Sequence, residues 1–248
     1  MRGLNLFFTD EQYGRFQGNE FALVLGFSIP AATFAPFRRN LYSGLADILG
    51  LVLQKEGSIA IAAPPLLHGS DFLRDYVDSK KLEVLRFVFD LLRQTDCGFF
   101  RVGYFLASTP DGIDVQMRRK FCLQASLHAI WFGLNKEGSH PTVVVSEFDK
   151  EGLRKAFSAI TDHIGMYYQM DDGSLSVSLD KMIGHFFAKK DELGCQIADL
   201  VAYVSLKAMS DGSEFHNAVG GEFEKISHMF LADRIIWWND SSRSIIRV

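Results

Sequence analysis

The sequence predicts one α/β domain. Short apolar runs, β-branched or alternating, are bounded by Gly, Pro and polar turns and read as strands. Between them lie longer segments with apolar residues at helical spacing. No repeat, low-complexity tract or linker divides the 248 residues, so the expected unit is 1–248, with a hairpin extension at 234–248.

Taken in order, residues 4–9 (Leu-Asn-Leu-Phe-Phe-Thr) and 20–29 read as an antiparallel strand pair joined by a polar loop with Gly14 and Gly18. Residues 35–54 read as a helix ending at Gly57. Residues 58–63 form a short apolar run stopped by Pro64 and Pro65, hence a third strand. Leu82, Leu85, Val88, Phe89 and Leu92 give residues 78–95 a helical period. Residues 99–107 predict a strand, 114–134 a long helix, and 142–146 (Thr-Val-Val-Val-Ser) a brief central strand. A helix is expected over 150–166, and an alternating strand over 175–179 after the turn Asp171-Asp172-Gly173-Ser174. Residues 194–208 and 213–231 read as helices. Residues 234–238 and 243–248 flank Asn239-Asp240-Ser241-Ser242 and predict a terminal hairpin.

Bulk properties narrow the function classes. At 48% hydrophobic and 23% charged, the composition is that of an ordinary soluble chain. The formal charge of −4 gives no whole-protein attraction to nucleic acid, so such a role requires a local basic patch. Twenty-two Phe point to a large core or to an apolar surface used in a homo-oligomer. Cys97, Cys122 and Cys195 are odd in number and lack metal-ligand spacing, which argues against a disulfide framework or a zinc site. No apolar stretch approaches the ~20 residues of a membrane span, and the N-terminus lacks a signal-type apolar region. A reduced, cytoplasmic protein is the expectation.

Three acidic residues stand out by context. Asp10 closes the first apolar run, and alternation puts it on one face with Leu4, Leu6 and Phe8. A loop-initiating Asp next to Gly14 reads equally well. Glu147 follows the run 142–146; it and Asp149 also suit the first turn of a helix, where the macrodipole favours acids. Asp199 is the only charge between Leu193 and Leu206. A helical wheel groups Leu193, Ile197, Leu200, Val201 and Val204 as a core stripe, with Asp199, Gln196 and Tyr203 on the far side. That side carries no Lys or Glu before Lys207, so the helix is expected to be covered on both sides, with Asp199 facing a cleft or partner. Carboxylates inside a fold are costly without a cation or donors. Converging, they form the hard oxygen site that Mg²⁺ or Mn²⁺ prefers. His68 and Asp71 follow the stiff Pro64-Pro65 pair; a lone His is more often structural. No Walker or dinucleotide-type glycine loop is present.

Taken together, three segments resemble the domain of unknown function 3800 family of bacteria and phages, placed among ribonuclease-H-like folds. Phe8-Thr9-Asp10-Glu11-Gln12-Tyr13-Gly14 resembles the family's opening Asp-Glu-Ser-Gly at a strand end. Leu66-Leu67-His68 is similar to its middle Glu-(Leu/Ile)-His, and Gln196-Ile197-Ala198-Asp199-Leu200-Val201-Ala202 matches its closing Gln-x-Ala-Asp-Leu-Val-Ala throughout. The resemblance implies a ribonuclease-H-like mixed sheet flanked by helices. Asp10, Glu147 (or Asp149) and Asp199 would meet at one cleft as metal ligands, with His68 moving protons or holding the scissile phosphate. In that family of folds such acids hold two divalent ions about 3.5–4 Å apart for phosphodiester cleavage. Two positions depart from the pattern: Leu66 replaces an acid, and Gln12 replaces Ser. The expected function is a metal-dependent nuclease acting on nucleic acid, and Lys189 and Lys190 are candidate phosphate contacts. The alternative is a catalytically inert binding or assembly module of the same fold.

Overall fold

The computed structural model describes residues 3–16, 19–51, 61, 76–105, 141–147, 182–188, 192–209, 213–239 and 244–247. At its centre is a hairpin whose arms are longer than the apolar runs suggest. Strands β1 (Asn5–Phe16) and β2 (Asn19–Pro30) have twelve residues each and pair antiparallel from Asn5–Pro30 to Phe16–Asn19. The expected strand end at Thr9 is therefore corrected. Asp10 sits in mid-strand opposite Leu25, because β2 stays extended through Leu23, Val24 and Leu25 and offers a partner at every step. A strand ends where its backbone pairing ends, not where its hydrophobicity does.

Strand β3 (Gly98–Phe105) pairs antiparallel with β2. On the other side of the hairpin, β4 (Thr142–Glu147) lies parallel to β1, and β5 (Met182–Ala188) parallel to β4. β6 (Phe230–Asn239) runs parallel to β3, and β7 (Ser244–Arg247) antiparallel to β6. The result is an α/β fold with a mixed seven-stranded sheet in the order β5-β4-β1-β2-β3-β6-β7. The C-terminal hairpin is present and continues the main sheet rather than standing apart from it. β5 is absent from the sequence expectations, since Gly184 and His185 interrupt its apolar run and adjacent Phe186 and Phe187 break the alternation. Apart from Ile61, the expected strand over 58–63 lies outside the described residues, as do the strand over 175–179 and the helices over 114–134 and 150–166.

Four α-helices accompany the sheet among the described residues. Helix α1 (Ala31–Leu49) begins directly after Pro30, four residues before the expected start. Pro36 suits a first helical position but lies inside the helix, where it removes one backbone hydrogen bond. The helix stops at Gly50 rather than Gly57. Gly50 is left-handed at φ 64°; its N–H bonds to Asp47 O at 3.3 Å, and the Leu51 N–H reaches Ala46 O at 2.9 Å. These two bonds satisfy the last-turn carbonyls in a Schellman arrangement, which a residue with a Cβ would strain. Helix α2 (Asp78–Arg93) buries Val84, Leu85, Val88, Phe89 and Leu92, close to the expected stripe. Helices α3 (Leu193–Ala208) and α4 (Glu214–Phe223) follow β5, and α4 is shorter than the expected 213–231 because a 3₁₀ turn at Ser227–Met229 leads into β6. No helix among the described residues is long and apolar enough to cross a membrane.

One face of the sheet carries Phe8, Phe21, Leu23, Leu25, Phe27, Ile29 and Phe99, which pack with α1, α2, α3 and α4 into a continuous core. Each fully buried side chain of this kind contributes about 1.5–3 kcal/mol. Phe27 stacks on Phe99 at 5.3 Å and neighbours Phe8 at 6.1 Å, so these Phe serve the core, while Phe186 is 58% exposed. Arg101 stands on the same face, its guanidinium over Phe223 and Phe230 at 5.0 and 5.2 Å, and pairs with Asp233 across β3 and β6. Glu222 is buried where α2 meets α4, bonding Arg86 at 2.8 Å and Lys225 at 2.5 Å. Burial there opposes ionisation, but the hydrogen bonds and charges of Lys225 and Arg86 outweigh it and hold the Glu222 carboxyl below its ordinary range.

Candidate functional site

The site is built where α3 lies along β1. Alternation along β1 puts Phe8, Asp10, Gln12 and Gly14 on the core face, and three contacts tie that row to the helix. Gly194 abuts the Phe8 ring so closely that a Cβ there would overlap it. Gln12 donates from Nε2 to Oδ1 of Asp199. Gly14 lies under Leu206, again with no room for a Cβ at its present position. The contacts advance in the same direction along both elements, so α3 runs lengthwise over β1. Asp10 lies between Phe8 and Gln12 in that row and therefore faces the helix that carries Asp199.

Both carboxylates are more than nine-tenths buried, Asp10 at 7% exposure and Asp199 at 6%. Their settings differ. Oδ1 of Asp10 accepts the Glu11 backbone N–H at 2.8 Å, a donor fixed by the strand. Oδ1 of Asp199 accepts a side-chain amide from Gln12, which is only half-buried. Helix α3 is buried from Leu193 through Leu206, as expected for a helix covered on both sides. The cover over the Asp199 position is β1 itself.

Glu147 is the last residue of β4. The parallel pairing of β1 with β4 runs as far as Thr9 opposite Ser146, one residue before Asp10 and Glu147. The pairing is reinforced on the opposite face, where the Thr9 and Ser146 hydroxyls meet at 2.5 Å in a buried hydrogen bond. His68, Leu66, Asp149, Lys189 and Lys190 lie outside the described residues. Among the described residues, no group of three or more His, Cys, Asp or Glu side chains is placed to hold a metal ion. Asp10 and Asp199 are buried acids of the β1–α3 interface, and Glu147 follows the last β1–β4 pair. Their donor chemistry, carboxylate oxygens alone, suits a hard divalent cation.

Two residues that the sequence reading names without assigning them a role take part in the site. Gln12 falls in what the sequence presents as a loop, yet its parity with Asp10 becomes informative once the strand extends to Phe16. Gln196, one helical turn before Asp199, is buried at 4% exposure and accepts the Ile61 backbone N–H on Oε1 at 2.8 Å. It fastens the chain at Ile61 to α3. Tyr203, one turn beyond Asp199, has its phenol pushed up to about 12 by burial, and the Lys207 ammonium lies 5.1 Å from its ring centre. No protein-family model, curated protein or solved structure matches this chain.

Proposed function

We propose that this chain is a divalent-metal-dependent phosphodiesterase of ribonuclease-H-like build that acts on nucleic acid. The observation that carries the reading is the pair of buried carboxylates, Asp10 and Asp199, on facing surfaces of β1 and α3. The sheet supports it. An antiparallel β1-β2-β3 meander, with β4 and β5 added in parallel on the far side of β1, is the arrangement expected of that fold. It brings the middle of the first strand and the end of the fourth next to each other.

In this reading Asp10, Asp199 and Glu147 hold Mg²⁺ or Mn²⁺. A bound ion of this kind supplies a polarised phosphoryl oxygen and an acidified water. The Glu11 N–H orients the Asp10 carboxylate, and the apolar packing of Phe8 and Leu206 on either side keeps bulk water from the interface. Gln196 anchors the segment that leads in sequence toward His68, the residue assigned to proton transfer or to the scissile phosphate. Lys189 and Lys190, which precede α3 in sequence, are assigned to substrate phosphate; with a net charge of −4, the attraction must be local.

The test is incubation of the chain with single- and double-stranded DNA, RNA and an RNA–DNA hybrid in millimolar Mg²⁺ or Mn²⁺. Cleavage is expected, inhibited by EDTA and lost in Asp10→Asn and Asp199→Asn proteins that keep the wild-type circular dichroism. Failure to cleave any of these substrates with either metal would remove the reading. A second reading, an inert binding module of the same fold, is favoured by one observation: the Gln12 amide already satisfies an oxygen of Asp199.

A further inference from the structure

We infer that Gln12 governs cation occupancy at Asp199: its carboxamide holds Oδ1 of that carboxylate, and a divalent ion gains the oxygen only by displacing it. The inference rests on the metal-site reading above and adds the residue that sets its affinity. Gln12 is two residues past Asp10 on the same face of β1, which brings its side chain to α3 at the level of Asp199. A carboxylate at 6% exposure needs donors when no cation is present. The amide provides an N–H without charge, so it stabilises Asp199 but does not neutralise it.

The contrast with Asp10 gives the contact its conditional character. A donor to Asp10 is the Glu11 backbone amide, fixed in the strand. A donor to Asp199 is the end of a side chain with three rotatable bonds, on a half-buried residue, and it can turn away without disturbing the sheet. Asp10 is thus preset as a ligand, whereas Asp199 becomes one by exchanging a hydrogen bond for a metal bond. A hydrogen bond to a charged group is worth about 1.5–3 kcal/mol, so removing the competitor tightens cation binding about tenfold or more.

The test compares wild type, Gln12→Ala and Gln12→Asn by calorimetric Mn²⁺ titration and by thermal melts in EDTA and in Mn²⁺. Gln12→Asn keeps a polar amide one methylene too short to reach, and so serves if the Ala variant folds poorly. In EDTA both variants should melt below wild type, because Asp199 loses a donor. Mn²⁺ should then bind about tenfold tighter than to wild type and raise the melting temperature more, and the gain should vanish in Gln12→Ala/Asp199→Asn. Variants that melt like wild type in EDTA would show that the contact does not hold Asp199. Variants that melt lower yet bind Mn²⁺ no more tightly would make Gln12 a structural tie alone. Either result overturns the inference. A wild type that cleaves no nucleic acid while the Mn²⁺ pattern holds would sink the phosphodiesterase reading and leave this one standing.

Discussion

Gln12 and Asp199, 187 positions apart in the chain, share a hydrogen bond that joins the first strand to the helix laid along it. The bond makes one site of two segments that each look unremarkable alone: a polar stretch after an apolar run, and an apolar helix with a single charge. Everything proposed about cation binding depends on that helix lying lengthwise on β1.

Asp10→Asn should separate ligation from simple crowding of acids. The substitution keeps the volume and leaves an oxygen for the Glu11 N–H, but removes a charge. Without metal, the melting temperature should stay level or rise, because repulsion between neighbouring carboxylates is relieved. Added Mn²⁺ should raise the melting temperature of wild type and not of the variant. An equal rise in both would detach Asp10 from the metal.

Gly194→Ala and Gly14→Ala probe the same interface with losses of unequal size. A Cβ at Gly194 meets the root and ortho carbons of the Phe8 ring, which the sheet holds in place. Overpacking there should cost about 1–3 kcal/mol, a fall of about 2–4 °C per kcal/mol in the melt of a chain this size. At Gly14 the obstacle is chiefly a terminal methyl of Leu206, which another rotamer can move. That variant should lose less than half as much, and comparable losses would contradict the packing described.

Glu222 makes stability depend on acid. Its carboxyl titrates below the ordinary value of 4.5 in the folded chain, so the folded state binds fewer protons than the unfolded one in that window. Its contribution is fully present above the unfolded value and is lost as pH falls through the folded one. Glu222→Gln should flatten the decline of melting temperature on acidification below about pH 4.5 relative to wild type. Parallel curves for the two proteins would exclude the ion-paired geometry with Arg86 and Lys225.

Tyr203 works at the alkaline end. Burial raises its phenol from 10.0 to about 12, so the folded state keeps a proton that the unfolded state releases. Stability should be unaffected below pH 10.0 and fall between 10.0 and about 12. Tyr203→Phe should remove part of that fall, and absorbance titration should show one fewer late-ionising tyrosine. A variant with an unchanged alkaline profile would place the raised phenol elsewhere.

The sequence by itself determined the alternation that sets Asp10 on the core face, the lone charge of α3, the α2 stripe and the terminal hairpin. These are local patterns, written in residue spacing and in the cost of placing a charge among apolar neighbours. Only the tertiary structure decided that β1 runs on past Asp10 to Phe16, because the reason lies in β2, whose extended backbone supplies partners that residues 10–16 do not announce. It also decided where α1 stops, since Gly50 adopts its left-handed turn before the apolar pattern fades. Above all it decided that Gln12 meets Asp199. No spacing encodes a contact across 187 positions; it follows from Gly194 and Gly14 letting the helix descend onto the strand, a close approach that packing alone specifies.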